Sequence, residues 1–357
     1  MSSTFKIIKK SSKSKARAGI LTTPHGEIHT PVFMPVGTQS TVKAMTPEMV
    51  KECGAQIILA NTYHLSLRPG ADLINDFGGL HPWMNWKGPI LTDSGGYQVF
   101  SLSNMRKITP EGVSFKSHID GSVHHFSPKS VVELQLKFNS DILMPLDICS
   151  PHTATEQDII NDLAITHAWE KEAYLHWKSK DVQNQLFAIV QGGMFTHLRD
   201  QSIDFLTQLD FPGFALGGVS VGESRQEMET IIGHSIPKFP ENKPRYVMGI
   251  GLPENLKFGI EHGVDMFDCV IPTRLARHGQ AFIPGGKLTI KNEIHKKDPS
   301  PIDPTCACYC CAHYSRAYLR HLFMAKEILA LTLMSIHNVH FLVQLVDKMR
   351  AGILEED

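Results

Sequence analysis

The chain has its densest cluster of reactive side chains near its carboxyl end, where four cysteines fall within six residues. Two histidines follow about one helix length later. Thiolates and imidazoles at such short spacing are the usual ligands of tetrahedral zinc. A disulfide cluster or exposed free thiols are the alternatives, but adjacent cysteines rarely pair with each other. The pattern predicts a zinc site, structural in role because four protein ligands leave no open position. The residues are Cys306, Cys308, Cys310, Cys311, His337 and His340.

A second set of polar residues follows short apolar runs spread over much of the chain. If these runs are neighbouring parallel strands, the residues at their carboxyl ends meet at one mouth. A single aspartate after a strand is as readily a helix N-cap, and for Asp93 alone that alternative stays open. Three aspartates on different strands favour a site. The set comprises Asp93, Asp147, Gln191, Gly217, Gly218 and Asp268.

Carboxylates that share a pocket raise each other's pKa, so one can stay protonated while another is ionised. That split supplies a nucleophile and an acid/base, as double displacement at an anomeric carbon requires. A third carboxylate, an amide and glycine N–H groups suit the edge of a flat heterocycle. Tyr97 and Met248 are placed to cover its two faces. The set predicts glycosidic chemistry on a nucleoside.

The elements that must position these residues alternate between apolar runs and amphipathic segments. Strand and helix in alternation predict an α/β fold with a parallel sheet, and eight runs favour a closed (β/α)₈, TIM-like barrel. An open doubly wound sheet is the alternative, but no Gly-x-Gly-x-x-Gly opens a helix. The runs are 32–35, 56–60, 89–92, 142–146, 186–190, 213–216, 245–249 and 266–271, with helices predicted over 128–138, 156–177 and 194–206. Short strands at 5–9, 18–22 and 31–35, with Gly26 as a turn, predict an N-terminal antiparallel region.

Two other barrel chemistries fit the sequence less well. A metal-dependent hydrolase needs His-x-His at its first strand, and residues 32–38 contain no histidine. A glycoside hydrolase would show glutamates at two strand ends, whereas all three carboxylates here are aspartates.

Composition places limits on partners and location. The chain has 357 residues, 42% hydrophobic and 20% charged, and a net charge of −1, which argues against a protein that coats nucleic acid. Residues 270–325 are locally basic, either a phosphate-binding surface or an ordinary solvated face. Residues 1–15 lack a signal peptide's apolar core, and no apolar run is expected to reach the length of a membrane span. Unpaired Cys53, Cys149 and Cys269 fit a reducing cytoplasm.

The chain resembles the tRNA-guanine transglycosylases, of the bacterial type, over nearly its whole length. The resemblance rests on motifs in the family's order and on the Cys-x-Cys-x-x-Cys run. The motifs are NTYHL at 61–65, RPG at 68–70, LTDSGGYQ at 91–98, IVQGG at 189–193, Gly217-Gly218 and MFDCVIPTR at 266–274.

The resemblance implies exchange of guanine at the wobble position, 34, of tRNAs with GUN anticodons, those for Asp, Asn, His and Tyr. Asp268 is then the nucleophile that forms a covalent ribosyl intermediate, and Asp93 the acid/base. Asp147, Gln191 and Gly218 read the base edge, with Tyr97 and Met248 on its faces. Arg274 and Arg277 face the flanking uridines.

The incoming base implied is preQ1, 7-aminomethyl-7-deazaguanine, because Cys149 and Val221 match the bacterial type. Queuine, which needs glycine at position 221, is the alternative. Glu223 and the Val219 carbonyl would favour the aminomethyl cation. A catalytically silent RNA-binding subunit is the alternative from another class, disfavoured because both catalytic aspartates are present.

For the metal, the resemblance implies one structural Zn²⁺ per subunit on Cys306, Cys308, Cys311 and His337, with His340 the alternative fourth ligand. Arg316 and Arg320 on the following helix would form a basic patch for tRNA phosphates. We expect one catalytic barrel domain over residues 1–357, with a zinc-binding subdomain at 287–340 inserted in it. A cytoplasmic homodimer without membrane attachment is also implied.

Overall fold

The computed structural model describes residues 4–102 and 106–356. Within them the strands are β1 Phe5–Lys10, β2 Arg17–Thr23, β3 Gly26–Thr30, β4 Val32–Gly37, β5 Ile58–Asn61, β6 Ile90–Asp93, β7 Arg106–Thr109, β8 Gly112–Lys116, β9 Val123–Phe126, β10 Ile142–Leu143, β11 Gln185–Val190, β12 Gly213–Leu216, β13 Arg245–Val247, β14 Met266–Cys269, β15 Gln280–Ile283 and β16 Gly286–Thr289. The helices are α1 Pro47–Glu52, α2 Thr62–Leu67, α3 Ala71–Asp76, α4 Leu80–Met84, α5 Gly96–Leu102, α6 Pro128–Phe138, α7 Glu156–Lys178, α8 Thr196–Leu206, α9 Arg225–Ser235, α10 Pro253–Glu261, α11 Ile271–Arg277, α12 Tyr309–His313, α13 Arg316–Met324 and α14 Ile328–Glu355.

Eight parallel strands close into a barrel, in the order β4, β5, β6, β10, β11, β12, β13, β14 and back to β4. Each corresponds to one of the eight predicted runs, so the (β/α)₈ prediction is confirmed and the open sheet is excluded. Alternate residues point into the barrel, as on β11, where Phe187 and Ile189 are interior and Ala188 and Val190 face the helices. The interior is filled with side chains, so the chemistry is confined to the ends of the strands.

The N-terminal antiparallel sheet β1-β2-β3 closes the amino end of the barrel, because Phe5, Leu21 and Ile28 join the interior core. The antiparallel region was predicted, but its third strand is Gly26–Thr30. The predicted strand at 31–35 belongs to the barrel alone. The hairpin between β2 and β3 is tight, with Thr23 paired to Gly26, so Gly26 opens a strand instead of marking a loop.

A second antiparallel sheet, β7-β8-β9, follows α5 and was not predicted. Its strands are short and mostly polar, which gives little hydrophobic periodicity. Val113, Phe115 and Phe126 turn inward and pack with Tyr63 and Trp169 beside the carboxyl end of the barrel.

The chain ends with the β15-β16 hairpin and helices α12, α13 and α14. Helix α14 packs along α11, β4 and the hairpin. Asn338 joins the neighbouring elements, since its side chain accepts from Phe282 N (2.9 Å) and donates to the carbonyls of Pro272 (3.0 Å) and Gln280 (2.9 Å). The predicted 287–340 segment begins within β16 and ends within α14.

By length and composition, α14 is apolar enough to cross a membrane, so the expectation that no apolar run reaches that length was wrong. More than half of its most apolar stretch is buried inside the molecule, as in the core helix of a globular domain. The helix carries Asn338 and His337, both fully buried, on its inward face.

Candidate active site and metal centre

The predicted polar residues meet at the carboxyl end of the barrel. Asp93 ends β6 and Asp268 lies in β14, while Asp147 and Gln191 follow β10 and β11. The charges of Asp268 and Asp147 both act on Asp93, which places the three carboxylates in one electrostatic neighbourhood. The glycine pair, residues 217–218, follows β12 on the same rim.

Asp93 is held by the start of the adjacent helix α2. Its Oδ1 accepts hydrogen bonds from the backbone N–H of Thr62 (3.0 Å) and Gly95 (3.2 Å), and its Oδ2 accepts one from the Asn61 amide. Burial raises the pKa of Asp93 to about 7, and the neighbouring carboxylates add to the rise against the backbone hydrogen bonds. A carboxyl with that pKa exchanges a proton near neutral pH, as an acid/base must.

Asp268 is oriented through one of its two oxygens. Oδ1 accepts from the Tyr246 hydroxyl (2.5 Å) and from the Gly249 N–H (2.8 Å), whereas no bond to Oδ2 occurs among the described residues. Burial raises the pKa of Asp268, and these two donors oppose the rise. For the nucleophilic role predicted for Asp268, Oδ2 is therefore the oxygen available for attack. Tyr246 is fully buried and was not identified from sequence, where it reads as a strand residue.

Asp147 and Gln191 form a hydrogen-bonded pair. The Gln191 amide donates to Asp147 Oδ2 (2.7 Å), and the Ser94 hydroxyl donates to Oδ1 (3.2 Å). Burial raises the pKa of Asp147 to about 6, so it is ionised at neutral pH as a hydrogen-bond acceptor. Gly96 leaves room for it, because a Cβ there would lie 3.0 Å from Asp147 Oδ1 and 2.8 Å from its carbonyl oxygen.

Asp147 reaches the rim because its strand leaves the barrel early. β10 is only two residues long, and beyond it side chains replace the strand-to-strand hydrogen bonds. On one side Gln135 of α6 bonds both N–H (2.9 Å) and C=O (2.8 Å) of Met144. On the other, Thr166 of α7 accepts from Ile148 N (3.1 Å), and Glu170 accepts from Ile189 N (3.1 Å). We name Gln135, Thr166 and Glu170 the ladder substitutes. They were not predicted.

The glycine pair needs the absence of side chains. A Cβ on Gly217 would lie 2.6 Å from Gln191 Nε2, and one on Gly218 would lie 2.4 Å from Gln191 Oε1. Gly218 also has a φ of +64°, in the left-handed region that glycine adopts readily. The Gly217 and Gly218 carbonyls are bound by the fully buried Arg199, which sequence analysis missed.

The other residues predicted to bind the base lie in segments that follow barrel strands. Tyr97 is exposed on α5 and Met248 is half-buried after β13. Cys149 and Val221 are half-buried and Val219 is buried. Burial raises the pKa of the Cys149 thiol to about 12.

The carboxylate of Glu223 caps a backbone turn. It accepts hydrogen bonds from the N–H groups of Ser220 and Val221, the latter at 2.8 Å. Its acceptor capacity is thus partly used within its own loop, where Ser220 has a φ of 63°.

Two cations predicted to bind RNA lie on α11, directly after the strand that carries Asp268. Arg274 is exposed, while Arg277 is half-buried and donates from Nε to the Thr273 carbonyl (3.0 Å). Burial lowers the pKa of Arg277, and the Arg274 charge lowers it further. Two cations held close together suit an anionic partner.

Arg316 and Arg320 differ from expectation. Arg316 pairs with Asp298 (3.0 Å) and donates to the Ile302 carbonyl (2.9 Å), and Arg320 pairs with Glu293 and the carbonyl of Asn292 (3.1 Å). Both guanidinium groups fasten the 291–302 segment to α13. The two arginines of the predicted basic patch are therefore largely engaged in contacts within the molecule.

The thiol cluster converges on one histidine. The sulfurs of Cys306, Cys308 and Cys311 lie 3.7, 3.6 and 3.2 Å from Nδ1 of His337, and the four ligand atoms lie within 4.8 Å of one another. His337 Nε2 faces the Phe282 carbonyl at 2.7 Å, which leaves Nδ1 as the ligating nitrogen. Three soft thiols and one imidazole around a common centre could hold a metal ion and fit Zn²⁺.

The other two candidate ligands lie outside this group. Cys310 is fully buried in the apolar core, and His340, the alternative ligand, is not a member of the cluster.

A second group that sequence analysis did not single out lies at the opposite end of the barrel. His25 and His81 stack with ring centroids 3.5 Å apart, and both face Asp141. Asp141 also accepts from the backbone N–H groups of His25 (3.0 Å) and Ile90 (2.8 Å). These hydrogen bonds account for the group as a brace between β3, β6 and β10.

Together, the fold and site define a (β/α)₈-barrel enzyme with a carboxylate-lined mouth and a Cys₃His cluster. The family model described as queuine tRNA-ribosyltransferase matches residues 11–357. A queuine tRNA-ribosyltransferase of Caldanaerobacter subterraneus subsp. tengcongensis is 53% identical over 352 residues, covering 99% of this chain and 94% of the relative. One from Halothermothrix orenii is 49% identical over 356 residues, 100% of this chain and 95% of the relative. The chain belongs to the queuine tRNA-ribosyltransferase family, the tRNA-guanine transglycosylases.

Proposed function

We propose that this enzyme exchanges guanine at position 34 of tRNAs with GUN anticodons, those for Asp, Asn, His and Tyr, for preQ1. The observation that best supports this function is that two carboxylates on one rim have different surroundings. Asp268 has a free oxygen, and Asp93 has a pKa of about 7. Family membership supports tRNA as the substrate.

In the first displacement, Asp268 Oδ2 attacks C1′ of the wobble ribose. The C1′–N9 bond breaks, its electrons stay on the base, and protonated Asp93 donates its proton to the leaving guanine, which leaves Asp93 ionised for the second displacement. The product is a covalent ribosyl ester of Asp268. Because the Tyr246 hydroxyl and the Gly249 N–H hold Oδ1, the attacking oxygen keeps its direction throughout.

In the second displacement, ionised Asp93 removes the proton from N9 of the incoming base. N9 then attacks C1′, the ester bond breaks and the Asp268 carboxylate is released. Two inversions at one carbon retain the β configuration. No ATP is needed, because one glycosidic bond replaces another.

Base recognition fits the opposite side of the rim. Ionised Asp147 accepts from the N–H groups of a guanine-type edge, while the Gly218 N–H and the Gln191 amide complete the reading. Tyr97 and Met248 cover the faces of the ring. This arrangement suits guanine and 7-deazaguanine derivatives alike.

The choice of preQ1 over queuine rests on side-chain volume. Val221 would fill the space that the queuine ring substituent needs, and Cys149 would line the same pocket; both side chains are half-buried. Glu223 and the Val219 carbonyl would favour the aminomethyl cation, and the Glu223 oxygens also accept hydrogen bonds from the N–H groups of Ser220 and Val221.

Arg274 and Arg277 would contact the anticodon loop beside the reacting nucleotide, whose base must be splayed out to reach the rim. Cys306, Cys308, Cys311 and His337 would hold one structural Zn²⁺ per subunit. We place the chain in the cytoplasm as a homodimer, with residues 1–357 as one catalytic domain and 287–340 as its zinc-binding subdomain.

The test is incorporation of labelled guanine into unmodified tRNA(Tyr), chased with unlabelled preQ1 or queuine. We expect incorporation that preQ1 blocks and queuine does not. Blocking by queuine alone would assign the other base. Absence of incorporation by a folded, zinc-loaded sample would contradict exchange and favour the silent RNA-binding subunit.

A further inference from the structure

Arg199 of α8 is a buried cation that the exchange mechanism leaves without a role. Its side chain is fully buried behind the base-recognition rim. Among the described residues, all four of its hydrogen bonds go to backbone carbonyls at the end of β11 or just after β11 and β12. Nε donates to Gly193 (2.9 Å), one terminal nitrogen to Val190 (2.8 Å) and Gly217 (2.8 Å), and the other to Gly218 (3.3 Å).

These bonds fix the direction of the backbone donors on the opposite side of each peptide. In a trans peptide the C=O and the following N–H point in opposite directions. The only cis bonds among the described residues precede Pro31 and Pro69. With the Gly217 carbonyl turned toward Arg199, the Gly218 N–H turns away from it, toward the pocket. A backbone hydrogen bond from Gly218 also opposes the rise in the pKa of the Cys149 thiol, which belongs to the proposed pocket.

No carboxylate among the described residues bonds to the Arg199 guanidinium. No salt bridge of Arg199 occurs within residues 4–102 and 106–356. Burial lowers the pKa of Arg199 to about 10, so it stays cationic at neutral pH. A cation bound to a carbonyl polarises that peptide and strengthens its N–H as a donor. Arg199 therefore both orients the Gly218 N–H toward the pocket and strengthens it as a hydrogen-bond donor.

We propose that Arg199 is a positioning residue for base recognition, which holds the Gly217 and Gly218 carbonyls so that the Gly218 N–H binds the 6-oxygen of the purine or 7-deazapurine. Asp147 accepts, so it pairs with the N–H groups of the base edge. The carbonyl oxygen at position 6 is the acceptor that an N–H requires. This inference rests on the proposed function, since it assumes a guanine-type base at this rim.

Arg199 could instead serve stability alone, and two bases that differ at position 6 separate the roles. The bases are 7-deazaguanine, which has the 6-oxygen and an N1–H, and 2-amino-7-deazapurine, which lacks both. Loss of the N1–H, which would pair with Asp147, is the same in every variant, so a difference between variants reports on the 6-oxygen. Each competes with labelled guanine for incorporation into tRNA by wild type, Arg199→Lys and Arg199→Gln. Arg17→Lys is the matched control, because Arg17 is also buried but pairs with Asp265 (2.5 Å) at the amino end of the barrel.

We expect Arg199→Gln to weaken inhibition by 7-deazaguanine about tenfold or more, and inhibition by 2-amino-7-deazapurine by less than about twofold. Arg199→Lys keeps the positive charge but loses the planar guanidinium with its several donors. Its inhibition by 7-deazaguanine should therefore lie between that of wild type and that of Arg199→Gln. Arg17→Lys should change neither base selectively. If Arg199→Gln does not fold, the same comparison is made with Arg199→Lys, expected to lose several-fold for the 6-oxo base only.

Equal weakening of both bases, or of neither, would overturn the positioning role while leaving the exchange reaction intact. A wild-type enzyme that incorporates guanine but does not prefer the 6-oxo base would overturn it too, because the 6-oxygen would then not be read. Failure of wild type to incorporate guanine at all would instead remove the proposed function and this inference with it.

Discussion

The three rim aspartates have the same side chain but different partners, and the partners decide their chemistry. Asp268 has two donors on one oxygen and none among the described residues on the other. Asp93 has both oxygens bonded and a pKa of about 7. Asp147 is paired with an amide and is ionised above about pH 6. Hydrogen bonding and burial thus distinguish the proposed nucleophile, acid/base and base reader.

Attack by the incoming base should depend on pH through Asp93. Its pKa is raised to about 7, so the carboxyl is protonated below that pH and ionised above it. Removal of the N9 proton needs the ionised form. The rate at which an isolated tRNA adduct reacts with preQ1 should therefore rise with pH in single-turnover experiments. Its midpoint should lie somewhat below 7, because Asp268 is an ester in the adduct and its charge no longer raises the pKa of Asp93. A rate that is flat or falls between pH 6 and 8 would contradict this assignment.

Tyr246→Phe should slow adduct formation by roughly tenfold at neutral pH and move the acid limb of the rate to higher pH. The hydroxyl holds the pKa of Asp268 down, and its loss lets the pKa rise further. Adduct is measured as tRNA that stays on the protein under denaturing conditions. Asp268→Asn gives the zero level, since it should fold and bind tRNA without forming an adduct.

The control for that experiment is Tyr63→Phe. Tyr63 is another buried tyrosine, whose hydroxyl contacts His118 at 2.9 Å and not a rim carboxylate. It should leave the pH profile of adduct formation in place. A Tyr246→Phe profile that coincides with wild type would show that the hydroxyl does not tune Asp268.

At the scale of elements, helices complete a barrel strand that is too short. β10 supplies two residues, and the ladder substitutes Gln135, Thr166 and Glu170 bond the backbone where the strand departs. Without them, buried N–H groups would be left unpaired at about 1–3 kcal/mol each. The departure is what allows the Met144–Asp147 segment to carry its carboxylate to the rim.

Glu170→Gln should make the protein more stable at alkaline pH. Burial raises the pKa of Glu170 well above its usual value, with Asp147 adding to the rise, so the folded protein retains a proton that the unfolded chain releases. Stability is then lost as pH rises from the unfolded pKa toward the folded one, by about 1.4 kcal/mol per pH unit. Glutamine keeps an acceptor for Ile189 N without a proton to retain.

Denaturant unfolding of both proteins at pH 5 and pH 8 measures the effect. The advantage of Glu170→Gln should be larger at pH 8. Glu170→Ala, which removes the acceptor, should be less stable than Glu170→Gln at both values by about 1–3 kcal/mol. A constant difference between wild type and Glu170→Gln across pH would mean that Glu170 is not a buried neutral acid.

The sequence was sufficient for the eight strands and the rim residues, because continuous apolar runs that end in polar side chains are marked by composition. It was sufficient for the thiol cluster because of spacing alone. It was not sufficient for Tyr246, Arg199 or Glu170. Their partners are carbonyls, N–H groups and a carboxylate brought near only by folding. The β7-β8-β9 sheet was missed because its short polar strands lack a hydrophobic period.

At the scale of the whole molecule, the Cys₃His cluster joins two distant parts of the chain. Three thiols come from residues 306–311 and the imidazole from α14, whose neighbouring Asn338 bonds the start of α11 and β15. Helix α11 follows the strand of Asp268 and carries Arg274 and Arg277. Support at the cluster therefore extends to the segment beside Asp268.

Cys308→Ala should lower metal content from about one ion per chain to below about a tenth, since three remaining ligands bind Zn²⁺ far more weakly. tRNA affinity and melting temperature should fall with it. Cys310→Ala is the matched control, because Cys310 is a buried cysteine two residues after Cys308 that lies outside the cluster, and this variant should keep its metal. Metal analysis and tRNA titration test both. Full occupancy in Cys308→Ala would show that the ligand set is wrong.

The metal-binding part of the chain shares its apolar core with the barrel. Cys308, Cys311, Leu319 and Leu333 pack in one continuous cluster with barrel residues such as Phe267. We therefore expect that this part of the chain cannot be exchanged between relatives as an independent module. Recombination between relatives within residues 287–355 would mismatch both sides of that shared packing, so chimaeric genes should survive selection only when barrel and metal-binding segments come from the same parent.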